Sequence, residues 1–239
     1  MSWQGFNPVR EALKSLEFQL PPVVAGLAAR ALPLVKSPYR SEFDELGCIF
    51  IHVPKTAGTS LARAKFNFPS LHIPALRYRA FDPDKFERYF KFSLVRNPFE
   101  RLYSAYMYLR PHVGNYTNAD KAWASDNLAE FATFEDFVLA LRRAGVRRRI
   151  LRYVHFRPQI DWLRLPPGNR SVMDFLGRFE TLEEDYETIG RRLGVKPPEM
   201  PRLKAGDHPR YQDVYTEPMK QVVGRIYRTD LEALGYGFE

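Results

Sequence analysis

The chain has 239 residues, a formal net charge of +8, and 45% hydrophobic and 14% aromatic side chains. That is one domain's worth of sequence, and such a domain buries about 70–75% of its unfolded surface. Cys48 is the only cysteine, which excludes an intramolecular disulfide framework and a cysteine-based zinc site and fits a reducing cytoplasm, the expected location. The basic balance favours anionic partners: a phosphorylated donor, an acidic glycan or a nucleic acid.

Residues 1–46 read as an N-terminal helical extension and residues 47–239 as the main domain. The most apolar stretch of the extension, Leu20 to Val35, is only 16 residues long and is interrupted by Pro21, Pro22, Arg30 and Pro33. A membrane span needs about 20 apolar residues, so no transmembrane span is predicted. The first residues lack the ordered basic, apolar and small-residue regions of a signal peptide.

The domain opens with a predicted strand over Cys48–Val53 and a helix running to about Phe68. Between them lies Pro54-Lys55-Thr56-Ala57-Gly58-Thr59-Ser60. An apolar run that stops at a proline, followed by a lysine, a glycine and hydroxyls before a helix, is equipped to hold an anion. Free N–H groups at a helix start favour phosphate, and Lys55 adds a full charge. The common nucleotide loop, G-x-x-x-x-G-K-[ST], has its lysine after the second glycine; here Lys55 precedes Gly58. The plain alternative is an ordinary strand-to-helix turn carrying a surface lysine.

A short helix, Asp82 to Arg88, leads into a second strand, Phe92–Val95, and then a helix from Pro98 to Leu109. Asn97 reads as the N-cap, Pro98 as the first helical residue and Glu100 as the capping-box acid. Phe99, Leu102, Tyr106 and Leu109 form a core-facing stripe. Arg96 lies at the strand tip and Ser104 two turns into the helix, about 11 Å along. Both reach one phosphate only if it lies alongside those turns; otherwise Arg96 pairs with a nearby acid and Ser104 is solvated.

Residues 111–132 read as a polar loop. Thr133-x-x-Asp136 opens a helix that Gly145 closes. Val172–Phe179 is a strand, Thr181-x-x-Glu184 a capping box for a helix ending at Gly194, and Lys196 to Arg210 a proline-rich loop. A final helix starts at Thr216 with Val222, Val223, Ile226, Tyr227, Leu231 and Leu234 inward. Alternating strands and helices predict an α/β fold with a mainly parallel central sheet flanked by helices, and ligands there bind beyond the carboxyl ends of strands.

The segments PKTAGTS and VRNPFERLYSAY resemble the two nucleotide-phosphate motifs of sulfotransferases that use 3′-phosphoadenosine 5′-phosphosulfate (PAPS). The likeness is to the carbohydrate sulfotransferases that include the chondroitin, dermatan and HNK-1 enzymes and their bacterial relatives. His155-Phe156-Arg157-Pro158-Gln159 is similar to that family's His-x-x-Pro-Gln segment. Gly177-Arg178-Phe179-Glu180-Thr181-Leu182-Glu183-Glu184-Asp185 and the stretch from Tyr211 to Tyr236 are similar to its later segments, so the likeness covers roughly residues 47 to 238. The resemblance implies a P-loop-like nucleotide-binding fold and transfer of a sulfuryl group from PAPS to a hydroxyl, the acceptor being a carbohydrate. It places Pro54 to Ser60 around the 5′-phosphate and Arg96 and Ser104 on the 3′-phosphate. No metal is required by that scheme. It also implies a soluble member, since the eukaryotic relatives' N-terminal anchor has no counterpart here.

Sulfuryl transfer needs a stabiliser for the departing phosphate oxygen and a base for the acceptor hydroxyl. Lys55 is the candidate for the first role. His72, in the interval where the family places its base, is the candidate for the second, with His155 as runner-up. Either imidazole is otherwise a hydrogen-bonded structural histidine. His52 lies in the first strand and reads as structural, and His112 has no recommending context. His155 and Arg157 are the expected acceptor contacts.

Arg142, Arg143, Arg147, Arg148, Arg149, Arg152 and Arg157 put seven arginines in sixteen residues. Such a run is usually a solvated face; it also suits an acidic glycan. Without stacking aromatics or finger spacing it does not point to a specific nucleic-acid partner. Two further function classes stay open on the sequence: a P-loop-type nucleotide phosphotransferase or kinase, and a non-catalytic polyanion-binding protein.

Overall fold

The structure, a computed structural model, describes residues 37–57, 68, 71–110, 117–195 and 209–238. Helix α1 (Ser41–Leu46) leads through Gly47, in the left-handed region at φ 57°, into strand β1 (Cys48–Ile51). Helices α2 (Ala75–Phe81) and α3 (Pro83–Arg88) follow, then β2 (Phe90–Val95) and α4 (Pro98–Leu109). Next come α5 (Asn118–Leu128), α6 (Phe134–Ala140), α7 (Ala144–Leu151) and the single turn α8 (Ile160–Leu163). Strand β3 (Phe175–Arg178), α9 (Leu182–Arg192), α10 (Tyr211–Val214), α11 (Glu217–Ile226) and α12 (Arg228–Leu234) complete the described chain.

The strands form one parallel sheet in the order β1-β2-β3, with Phe50 opposite Phe92 and Phe92 opposite Phe175. All four residues of β1 are buried, the continuous apolar run expected of a parallel strand covered on both faces. The Phe50 and Phe92 rings stack at 5.2 Å, and burying each such side chain contributes about 1.5–3 kcal/mol. Ser93 lies between apolar neighbours and donates its hydroxyl to the Ile51 carbonyl at 2.6 Å. Tyr39 and Phe43, ahead of β1, join this core. Gly177 makes the approach of α9 possible: a Cβ there would come within 2.7 Å of Leu94 and 3.1 Å of Asp185. A second core of α4, α6 and α11 side chains, with Phe99, Phe137, Phe156 and Met219 at its centre, buttresses the sheet.

The fold is α/β with a parallel sheet, as the strand–helix alternation predicts, and the stripe Phe99, Leu102, Tyr106 and Leu109 is buried. Five local expectations are corrected. Residues 118–128, expected in a loop, are helical: Thr117 and Asp120 form a complete capping box, and only Asp120, Ala124 and Leu128 face inward, too few apolar residues to show a helical period. Gly145 does not close α6; it lies in the first turn of α7, the break falling at 141–143. Residues 75–81, which no motif marked, form α2. Thr181 makes no cap hydrogen bond; its hydroxyl donates to Asp185 after a short 3₁₀ turn. The last helix is two, because the chain turns at Tyr227, whose buried hydroxyl donates to the Phe156 carbonyl at 2.6 Å. The helix expected after the first loop and most of the loop 196–210 lie outside the described residues. Among the described residues no helix is long and apolar enough to cross a membrane.

Candidate active site

In a parallel sheet all carboxyl ends meet at one edge. Here that edge collects residues 52–57 after β1, Arg96 and Asn97 after β2, and Phe179 and Glu180 after β3. The first loop is wound tightly: Lys55 and Ala57 hold φ values of 68° and 62°, a region that costs a residue with a Cβ of order 1–3 kcal/mol. Alternating left-handed residues turn successive N–H groups toward one concavity, an anion-binding geometry. Thr56 between them is fully buried and donates its hydroxyl to the Val53 carbonyl at 2.9 Å. Its hydroxyl proton is thus used within the turn, and its contribution to an anion comes through its backbone. Gly58, Thr59 and Ser60 lie outside the described residues.

Lys55 and Arg96 come together. The Arg96 guanidinium donates to the Lys55 carbonyl at 3.3 Å, and the Lys55 ammonium lies 4.1 Å from the centre of the Tyr108 ring. Burial, and then the Arg96 charge, push the Lys55 ammonium down to about 8, with Asp120 pulling the other way. Glu100, Ser104 and Tyr108 follow one another at four-residue steps along α4, hence on one helix face. Lys55 touches Arg96 at one end of that face and Tyr108 at the other, and half-buried Ser104 lies between them.

Arg96 is held from several directions. Its guanidinium stacks 3.8 Å from the centre of the Phe179 ring and donates to Glu100 at 2.6 Å, while its buried Nε has no hydrogen-bond partner among the described residues. Glu100 therefore does not close a capping box at the start of α4. The Asn97 N–H that it would have taken donates instead to Glu180 at 2.8 Å, and Asn97 caps the Phe99 N–H at 3.0 Å. Tyr236 donates to the other Glu180 oxygen at 2.9 Å. The segments around residues 180 and 236 are thus packed behind the Arg96 turn.

Three histidines gather beside Lys55. Ring centres are 4.3 Å apart for His52 and His72 and 6.3 Å apart for His72 and His155. The His72 Nδ1 lies 2.9 Å from the His52 carbonyl. A carbonyl only accepts, so Nδ1 carries the proton and the lone pair of the neutral ring is on Nε2. His52 is buried and held well below its ordinary range by burial and then by the other imidazoles. His155 is 8% exposed; its Nε2 donates to Asp120 at 3.1 Å, and its buried Nδ1 has no hydrogen-bond partner among the described residues. Burial holds His155 below its ordinary range, the Asp120 bond working against that.

Sequence reasoning missed Asp120. It accepts hydrogen bonds from Tyr153 at 2.5 Å, Thr117 at 2.8 Å, Tyr108 at 3.1 Å and His155 at 3.1 Å. Burial alone would raise its pKa; the bonds from His155 and Tyr153 outweigh that and hold the carboxyl well below the usual range. The only available signal was Thr117-x-x-Asp120, a helix-start pattern. Tyr108 was legible only as the next step after Ser104. Arg157 lies over the Trp162 ring at 5.4 Å, with burial pushing its guanidinium down to about 10. The other arginines of the run lie along and beside α7, where Arg149 pairs with Glu130 at 2.5 Å. Among the described residues no three histidine, cysteine or acidic side chains are grouped to hold a metal ion.

The site offers a strained loop with two left-handed residues, two half-buried cations, and an imidazole with its lone pair on Nε2. The cations can hold anions and the imidazole can take a proton. No curated protein and no solved structure matches the chain. The model of the sulfotransferase family matches residues 71–237, more than half of the chain. The match includes Arg96, Ser104, His155 and Glu180 and begins just after the loop that carries Lys55. On that match, the chain belongs to the sulfotransferase family, whose members transfer sulfuryl groups.

Proposed function

We propose that this sulfotransferase takes its sulfuryl group from PAPS and passes it to a hydroxyl of a carbohydrate, with residues 47–239 as the catalytic unit. One observation carries the donor reading: two half-buried cations, Lys55 and Arg96, meet at the carboxyl end of a parallel sheet beside a strained loop. A donor with separated 5′- and 3′-phosphates matches two such groups, each with its own loop or helix.

In this reading the backbone of residues 54–60 holds the 5′-phosphate, and Arg96 and Ser104 grip the 3′-phosphate. The buried Arg96 Nε, which has no hydrogen-bond partner among the described residues, is a donor that could serve that group. The acceptor oxygen attacks sulfur as the bond from sulfur to the phosphate oxygen breaks, in line, much as in phosphoryl transfer. Lys55 stabilises the charge left on that oxygen. The acceptor proton passes to His72 Nε2. For the acceptor, the support is the arginine run: no acid occurs between Asp136 and Asp161, and Arg142, Arg148 and Arg152 are exposed. Guanidinium groups recognise carboxylate and sulfate in a forked geometry. His155 and Arg157 line the approach from α7 toward His72.

The test compares 3′-phosphoadenosine 5′-phosphate (PAP) with ADP by calorimetry, in wild type and Arg96→Ala. Arg96→Ala is expected to weaken PAP binding by roughly 1.5–3 kcal/mol, the worth of a charge-assisted hydrogen bond, and to leave ADP nearly unchanged. Equal weakening of both ligands would remove Arg96 from the 3′-phosphate.

A further inference from the structure

Strand β2 ends its pairing with β3 at Val95, opposite Arg178. Arg96, the next residue, has no neighbouring strand among the described residues to take its backbone, yet both of its backbone groups are bonded. The Gln159 side chain accepts from the Arg96 N–H at 3.0 Å and donates to the Arg96 carbonyl at 2.7 Å. A carboxamide has the same donor and acceptor as a peptide group, so Gln159 stands in for one residue of a missing strand.

Gln159 is itself fixed. It is fully buried, and its own N–H and that of Ile160 donate to the two oxygens of Asp230, at 2.7 and 2.9 Å. Asp230, on α12, is also fully buried. On the other side Arg101 donates to the carbonyls of His155 and Arg157 at 3.1 and 2.6 Å. The segment 155–160 is thereby pinned at both ends, and it meets the Arg96 backbone through the paired amide of Gln159.

We propose that Gln159, locked by Asp230 and Arg101, is a positioning residue that sets the Arg96 backbone and so aims its guanidinium at the donor's 3′-phosphate. The inference rests on the reading of Arg96 given above. A long side chain magnifies any rotation at its Cα, so the loss of two backbone bonds displaces the guanidinium most.

The test is a double-mutant cycle: wild type, Gln159→Leu, Arg96→Ala and the double variant, each titrated with PAP and with ADP. Gln159→Leu is expected to weaken PAP about tenfold and ADP less than about twofold, and to cause no further loss of PAP affinity once Arg96 is alanine. A purely structural role would weaken both ligands and add to Arg96→Ala, and either result overturns the proposal. Gln159→Glu, which keeps the acceptor for the Arg96 N–H, runs through the same cycle should the leucine variant not fold. Wild type without preference for PAP overturns the Arg96 reading and this one together. A preference that Arg96→Ala abolishes and the Gln159 variants leave intact overturns this proposal alone.

Discussion

Lys55→Ala is expected to lower turnover by about 10²–10³-fold, the usual effect of deleting one donor to a developing oxyanion, while raising the donor dissociation constant by a much smaller factor. The difference arises because the extra charge on the departing phosphate oxygen is absent from the bound donor and develops as the bond to sulfur breaks. The surroundings of Lys55 also predict a pH signature. Burial, helped by the neighbouring Arg96 charge, brings its ammonium down to about 8 in the donor-free protein. Below that pH it is charged; above it the proton is lost. A bound phosphate favours the charged form, so donor binding above pH 8 takes up a proton and weakens as pH rises. Calorimetry of PAP binding in two buffers of different ionisation enthalpy measures that uptake, which should vanish in Lys55→Ala. Proton uptake unchanged by the substitution would assign the titration to another group. A variant with altered donor affinity and normal turnover would make Lys55 a binding residue only.

His72→Ala is expected to cut transfer by about 10²–10⁴-fold, the range for a positioned base, with PAP affinity nearly intact. The motive is the tautomer: the bond to the His52 carbonyl keeps the proton on Nδ1 and places the lone pair on Nε2. The wild-type rate should have a limb that rises with pH, because only the unprotonated ring can take the acceptor proton, and the variant should lose that limb. His155 is the contrast. It is buried, and its Nε2–H is committed to Asp120. His155→Ala should therefore disturb the Asp120 cluster, including Tyr108 beneath Lys55, and keep the pH limb. A His72→Ala enzyme with normal turnover would move the base to His155.

What the sequence made legible was local. The strand runs, the Asn97-Pro98 helix start and the apolar stripe of α4 depend on neighbours within a few residues, and the structure has them in place. Lys55 and Arg96 could be named because each follows a strand end, and a parallel sheet brings such ends to one edge. Of the two acids near Arg96, Glu100 was misassigned and Glu180 was given no role, for the opposite reason. Glu100 has capping-box spacing, yet it bonds Arg96, while Glu180, distant in sequence, takes the Asn97 N–H. The Gln159–Arg96 pairing spans 63 residues and leaves no periodic trace. Asp120 was hidden because its helix is polar on most sides, and the break at Tyr227 because the inward stripe runs through it.

The measurement closest to the central claim is transfer of labelled sulfate from PAPS. Wild type is incubated with the labelled donor and a panel of carboxylated, sulfated and neutral glycans, beside Lys55→Ala and His72→Ala. Labelled glycan and equimolar PAP are expected from the wild type, with preference for an anionic acceptor and loss of product in both variants. PAPS that remains intact under every acceptor, with ADP bound as tightly as PAP, would contradict it.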